Sequence, residues 1–147
     1  MLRKLLGAVV GYLAMSVFVV VTFGVMFAVL GTDGAFEPDT YEPSGLWLVL
    51  SFVVGIAGAI LAGLVCVTVS RSPATATVLA AIVFVLGLAL AIPVLMSEAP
   101  AEQRAADDSA TEAAGKSRQP GWVAVLNPFV GAAGILLGSR LRRPEGS

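Results

Sequence analysis

The sequence predicts an all-α integral membrane protein, a bundle of four helices that cross the bilayer. Three observations carry this. The chain of 147 residues is 57% apolar and only 13% charged, where soluble domains are about one quarter charged. The apolar residues come in four long blocks, more than a single small core can bury. The nine basic and ten acidic residues all fall outside those blocks. Strands fit poorly: a membrane barrel shows segments of about ten residues with alternating polarity, and neither Val17 to Val21 nor Leu86 to Ile92 alternates.

The first span, Leu5 to Leu30, follows Arg3 and Lys4. Its apolar run of 26 residues exceeds the roughly 7 to 15 of a secretory signal, so it reads as an uncleaved anchor. It opens with Gly7-x-x-x-Gly11. The loop 31–45 then gathers Asp33, Glu37, Asp39 and Glu42 among Gly, Pro, Phe36 and Tyr41. Hard cations want oxygen ligands, but the D-x-[DN]-x-[DN]-G spacing with its distal Glu is missing. The loop is therefore expected to be a solvated acidic turn with an aromatic anchor, and no metal is expected.

The second span, Leu46 to Val69, carries small residues at Ser51, Gly55, Ala59 and Gly63, with Gly58, Ala62 and Cys66 in a row beside them. Such rows let helix backbones approach where apolar burial supplies no net attraction, and packing within the chain is their first reading. The turn Ser70-Arg-Ser-Pro-Ala74 is so short that the second and third spans should be antiparallel neighbours. The third span, Ala74 to Met96, contains Pro93, which bends or ends it. At 1.5 Å per residue these three spans cover about 35 to 39 Å, enough for a hydrocarbon core of about 30 Å.

The second long loop, 97–121, is rich in Ala, Glu, Asp, Ser and Gln and reads as a solvating linker with a frayed helix over Pro100 to Ala114. The fourth span, Trp122 to Ser139, covers only about 27 Å. Its Asn127-Pro128 step is the most unusual local feature of the chain. An amide buried without a partner costs about 2 to 7 kcal/mol, and Pro128 removes the donor for a carbonyl one turn earlier, near Ala124. Asn127 must face protein or water. It shares a stripe with Ala124, Gly131, Gly134 and Gly138, so the expected role of its amide is to tie neighbouring spans.

The charges orient the bundle. Arg3, Lys4, Arg71, Arg140, Arg142 and Arg143 fall on one side with Glu145 alone against them; the other side holds three basic and nine acidic residues. The positive-inside rule puts both termini in the cytoplasm and the loops 31–45 and 97–121 outside. Trp47 and Trp122 then sit at the outer headgroup level.

The same inventory excludes activities. No Asp, Glu, Lys, Arg or His lies within a span, which argues against a proton-coupled multidrug carrier. Without a Ser-His pair or paired aspartates there is no intramembrane protease, and one cysteine, Cys66, cannot form a disulfide relay. Only hydroxyls, one thiol and an amide remain inside, so no catalytic residue and no cofactor is expected. The expected partners are the lipid bilayer, a second copy or another membrane protein, and not nucleic acid. The residues that matter are then Ser51, Gly55, Ala59, Gly63, Asn127, Pro128, Gly131, Gly134 and Gly138. The reading is a non-enzymatic subunit that acts by packing or partner binding; the alternative is a subunit of an oligomeric channel or carrier with Asn127 lining a solute path.

The opening Leu-Leu-Gly-x-x-x-Gly-Tyr stretch (Leu5 to Tyr12), the Leu46-Trp47-Leu48 entry to the second span, and Gln119 to Val123 with Asn127-Pro128 in the fourth resemble small uncharacterised four-span proteins of the bacterial inner membrane. The resemblance implies that location and no activity, substrate or cofactor.

Overall fold

A computed structural model describes residues 1–96, 116, 117 and 119–142. Among these residues four helices run in order: α1 (Leu2–Ala35), α2 (Gly45–Ser70), α3 (Pro73–Met96) and α4 (Gly121–Leu141). Each is long and apolar enough to cross a bilayer, and the chain is an integral membrane protein with four spans. The linker helix expected over Pro100 to Ala114, with Arg143 and Glu145, lies outside the described residues.

Helix ends follow local chemistry. α1 breaks at Gly31, whose φ of 65° and ψ of −174° belong to a region open almost only to glycine. One further turn follows, closed by Phe36 N–H donating to the Thr32 carbonyl at 3.0 Å. The Ser44 hydroxyl caps α2 by accepting from Trp47 N–H at 3.1 Å, while its own proton goes to the Gly34 carbonyl at 2.6 Å. One side chain thus joins the end of α1 to the start of α2. α2 ends on Arg71 in the left-handed region, its N–H bonded to the Val67 carbonyl at 2.7 Å. Pro73 then opens α3, a position where its missing N–H is harmless.

The helices alternate in direction. Gly7 of α1 lies against Ser70 at the far end of α2, and Phe23 and Phe27 pack on Trp47 at its start. Phe84 and Phe129 meet edge to face at 4.9 Å, with Gly87 against Pro128 and Gly121 against Leu95, so α3 and α4 are antiparallel. α2 and α4 run parallel, with Phe52 on Trp122 at one end and Gly63 on Ile135 further along. One end of the bundle therefore carries Arg3, Lys4, Arg71, Arg140 and Arg142, and the opposite end carries the acidic loop 31–45. Arg142 donates to Thr68 Oγ1 at 2.7 Å at the basic end.

The second and third spans are antiparallel, as expected, and share one core, but they are not the close neighbours the short turn suggested. α2 packs chiefly on α1 and α4, and α3 chiefly on α4; α2 touches α3 only slightly. The spatial order is α1, α2, α4, α3. The reason lies in the two small-residue rows of α2. The Gly58, Ala62, Cys66 row receives α1, where Gly11 sits on the Ala62 carbonyl. The Ala59, Gly63 row receives α4, whose Gly134 and Gly138 let the two backbones touch. A short turn fixes where α3 starts but not which helix it packs on; α4 reaches the remaining face of α2 more closely. The core is correspondingly built of small side chains: Ala59, Ala62, Cys66, Ala76 and Ala80 are buried with Val67, Leu79 and Ile135. Large apolar residues such as Val21, Val29, Val85 and Ile92 point outward, as lipid-facing positions require.

Candidate functional site

Between α1 and α4, floored by α2, lies a cleft of about 570 Å³. It exists because the backbones of α2 and α4 touch only in the basic half of the bundle. There, a Cβ on Gly63 would land on the Ile135 carbonyl and one on Gly138 on the Ile60 carbonyl; one on Gly134 would lie 2.6 Å from the Ala59 Cβ. In the acidic half α2 reaches α4 through the Phe52–Trp122 ring contact, and a Cβ on Gly55 has open space for 4 Å around it. The small-residue ladder therefore changes use along its length. Gly63 closes α2 on α4, Ala59 sits at the junction, and Gly55 and Ser51 line the cleft.

α4 divides likewise. Asn127 and Gly131 line the cleft, whereas Gly134 and Gly138 form the close contact with α2. Pro128 is buried against α3, its ring 2.7 Å from where a Gly87 Cβ would stand. Gly87 is thus the space into which the proline ring fits. A lone glycine in an apolar span shows no spacing that would single it out, and only the Pro128 contact reveals its role.

The Asn127 amide does not tie two spans together. It is exposed on the cleft side and forms no hydrogen bond to any described residue. Pro128 turns toward α3, and the amide one position earlier is carried away from that interface. It stands between the main cleft and a smaller cavity of about 270 Å³ beside Gly87 and Leu90, with Gln119 and Val83 shared by both. The Ser51 hydroxyl oxygen is shielded from solvent and also lacks a partner. Hydroxyls of Ser16 and Thr68 instead donate to carbonyls four residues back, at 3.0 and 2.7 Å, the usual resort of a membrane hydroxyl.

Ser51 and Asn127 stand level. Each lies six positions from the first residue of its helix, Gly45 or Gly121, hence ~9 Å along the axis. Both residues line the same cleft, where the Asn127 side chain is exposed and the Ser51 hydroxyl oxygen is covered, and among the described residues no charged side chain lines it. Pro43, Trp47, Ser117 and Gln119 rim the cleft at the acidic end; toward the basic end the glycine contacts close it, so it is blind.

The acidic loop at the rim is folded. Phe36 and Tyr41 are buried, 5% and 4% exposed, and pack with Ala35, Phe27 and Trp47. Glu37 N–H donates to the Glu42 carbonyl at 2.9 Å and Ser44 N–H to Ala35 at 2.8 Å. The Glu37 carboxylate accepts from Gly45 N–H at 3.3 Å, at the start of α2, where a helix dipole favours negative charge. Lys116 lies over the Tyr41 ring, 5.3 Å from its centre, and donates to its hydroxyl at 3.2 Å. The aromatic anchor is thus larger than the sequence suggests. Among the described residues no three His, Cys, Asp or Glu side chains come together as a metal site would need.

Comparison with known protein families, with curated proteins and with solved structures gives no match, so no family is identified for the chain and the site is read from its own geometry.

Proposed function

We propose that the protein is a non-enzymatic membrane subunit that works by holding a partner molecule in the cleft between α1 and α4. The observation that carries this reading is the Asn127 amide, placed inside a span, facing the cleft and hydrogen-bonded to none of the described residues. An amide in hydrocarbon that finds no partner is costly, and intramembrane polar groups mark function by default. What the chain does not supply, a bound partner does. The blind end of the cleft favours binding over conduction, because a solute path must continue past Gly63 and Gly138, where backbones touch.

The charge asymmetry between the ends supports an orientation with both termini cytoplasmic and the cleft rim outside, in the inner membrane of a bacterium. On a Cys66→Ala background, Glu37→Cys and Asp107→Cys should react with an impermeant thiol reagent in intact cells and Gly146→Cys should not; the opposite pattern overturns the orientation.

Asn127→Leu tests binding against conduction. Removing an amide that bonds none of the described residues should leave the melting temperature unchanged or raised, because replacing an unsatisfied polar group by an apolar one of similar size is neutral or favourable. Proteoliposomes of the unaltered protein should show no flux across a panel of small solutes. Flux that is present in the unaltered protein and lost in Asn127→Leu would establish the carrier reading instead.

A further inference from the structure

We propose that the basic end of the bundle, apart from the cleft and independent of what fills it, is a docking surface for an anionic phospholipid, whose phosphate is seated on the Arg142 guanidinium and whose acyl chains lie along Leu137 and Leu141.

Arg3, Lys4, Arg71, Arg140 and Arg142 are all exposed at this end, and they gather around the last turn of α2. Gly7 lies against Ser70, so Arg3, one turn earlier on the same face of α1, comes level with the turn at Arg71. Arg142 reaches α2 from α4. Among the described residues the carboxylates, Asp33, Glu37, Asp39 and Glu42, all belong to the opposite end, and none of these basic groups has an ion pair. Like charges gathered without a counter-charge repel one another, and an external anion relieves the strain. Arg142 is the best held of them. Its one hydrogen bond among the described residues runs from Nη1 to the Thr68 hydroxyl at 2.7 Å, and Thr68 passes its own proton to the Leu64 carbonyl at 2.7 Å. A neutral hydroxyl fixes the guanidinium without cancelling its charge. The remaining N–H donors of the arginine stay available in the fork that suits phosphate oxygens.

The surroundings select a lipid over a soluble anion or an acidic protein. Arg142 caps α4 at the end of an apolar span, the level to which arginine side chains at helix ends bring their charge. Beside it Leu141 is 70% exposed, and Leu137, one turn deeper on the same face, is 52% exposed. A fixed cation with a bare apolar strip running inward from it matches a molecule charged at one end and hydrocarbon at the other. Net negative charge is selected too. The phosphate of a zwitterionic lipid already has a cation on its own headgroup, whereas that of an anionic lipid has none. Attraction to an anionic lipid surface amounts to about a fivefold gain per basic residue.

The test uses the full chain purified in dodecyl maltoside. Its melting temperature is followed in mixed micelles with rising mole fractions of dioleoyl phosphatidylglycerol, or of dioleoyl phosphatidylcholine, which has the same chains and phosphate but no net charge. Phosphatidylglycerol should raise the melting temperature saturably, and phosphatidylcholine should need at least about fivefold more for the same rise. Arg142→Gln should raise the half-saturating fraction of phosphatidylglycerol about fivefold. Thr68→Val, which keeps every charge, should raise it by a smaller factor, and Lys116→Gln at the opposite end should leave it unchanged. Equal responses to the two lipids overturn the proposal. A preference for phosphatidylglycerol that neither Arg142→Gln nor Thr68→Val weakens is diffuse attraction and overturns the seat on Arg142. The same shift produced by dissolved glycerophosphate shows a free-phosphate site, and produced by polyglutamate an acidic protein partner; either overturns the lipid.

Discussion

Gly63 and Gly55 lie two helical turns apart on one face of α2, and the same substitution should act on them with opposite sign. A methyl group at Gly63 would fall on the Ile135 carbonyl, with the Ile135 carbonyl carbon at 2.8 Å and Ser139 N at 2.9 Å. These are backbone atoms and cannot rotate aside, so α4 must move away from α2. Forcing an extra carbon into a packed interface costs about 1 to 3 kcal/mol. Opposing this, Ala is about 1 kcal/mol better than Gly inside a helix. The net for Gly63→Ala is a loss of up to about 2 kcal/mol. At Gly55 the steric term vanishes, because nothing lies within 4 Å of the added carbon, and Gly55→Ala should gain up to about 1 kcal/mol. Thermal unfolding of both variants in dodecyl maltoside, followed by circular dichroism at 222 nm, reads the difference. Equal melting temperatures, or a Gly55→Ala loss matching that of Gly63→Ala, would refute the division of α2 into a closed and an open half.

Gly31→Ala should destabilise by about 1 to 3 kcal/mol although its added carbon meets nothing. The cost is purely in the backbone at φ 65° and ψ −174°, outside the left-handed helical region that asparagine tolerates, so Gly31→Asn should recover none of the loss in the same melting assay. Gly87→Leu should displace the Pro128 ring and lower the melting temperature by an overpacking penalty of about 1 to 3 kcal/mol; the double variant Gly87→Leu, Pro128→Ala should recover part of it, as contacting sites couple.

The four helices were legible because each has a simple physical signature: a charge-free run long enough to span hydrocarbon. The presence of small-residue rows was legible too, at Gly58 to Cys66 and at Ser51 to Gly63. Their partners were not. Ala59 and Gly63 state only that some backbone can approach; that α4 fills this place and displaces α3 depends on Gly134 and Gly138 matching Ile60 and Ala59 in register, a relation between distant segments. Gly55 has the same spacing signature as Gly63 and the opposite environment, which no local pattern distinguishes. For Asn127 the sequence states the cost of an unpaired amide, but the direction it faces is set by the Pro128 ring seating on Gly87, four decades of residues away in the chain.

The central claim, a cleft that holds one molecule, is tested most directly by photocrosslinking in native membranes. Benzoylphenylalanine at Met15, which lines the cleft, is compared with the same group at Val85, 63% exposed on the outer face, by intact mass after irradiation. The account predicts a discrete adduct of one mass at Met15, abolished by Gly55→Leu, and a spread of bulk-lipid adducts at Val85 that Gly55→Leu leaves unchanged. The same spread at both positions, or a Met15 adduct indifferent to Gly55→Leu, would contradict it.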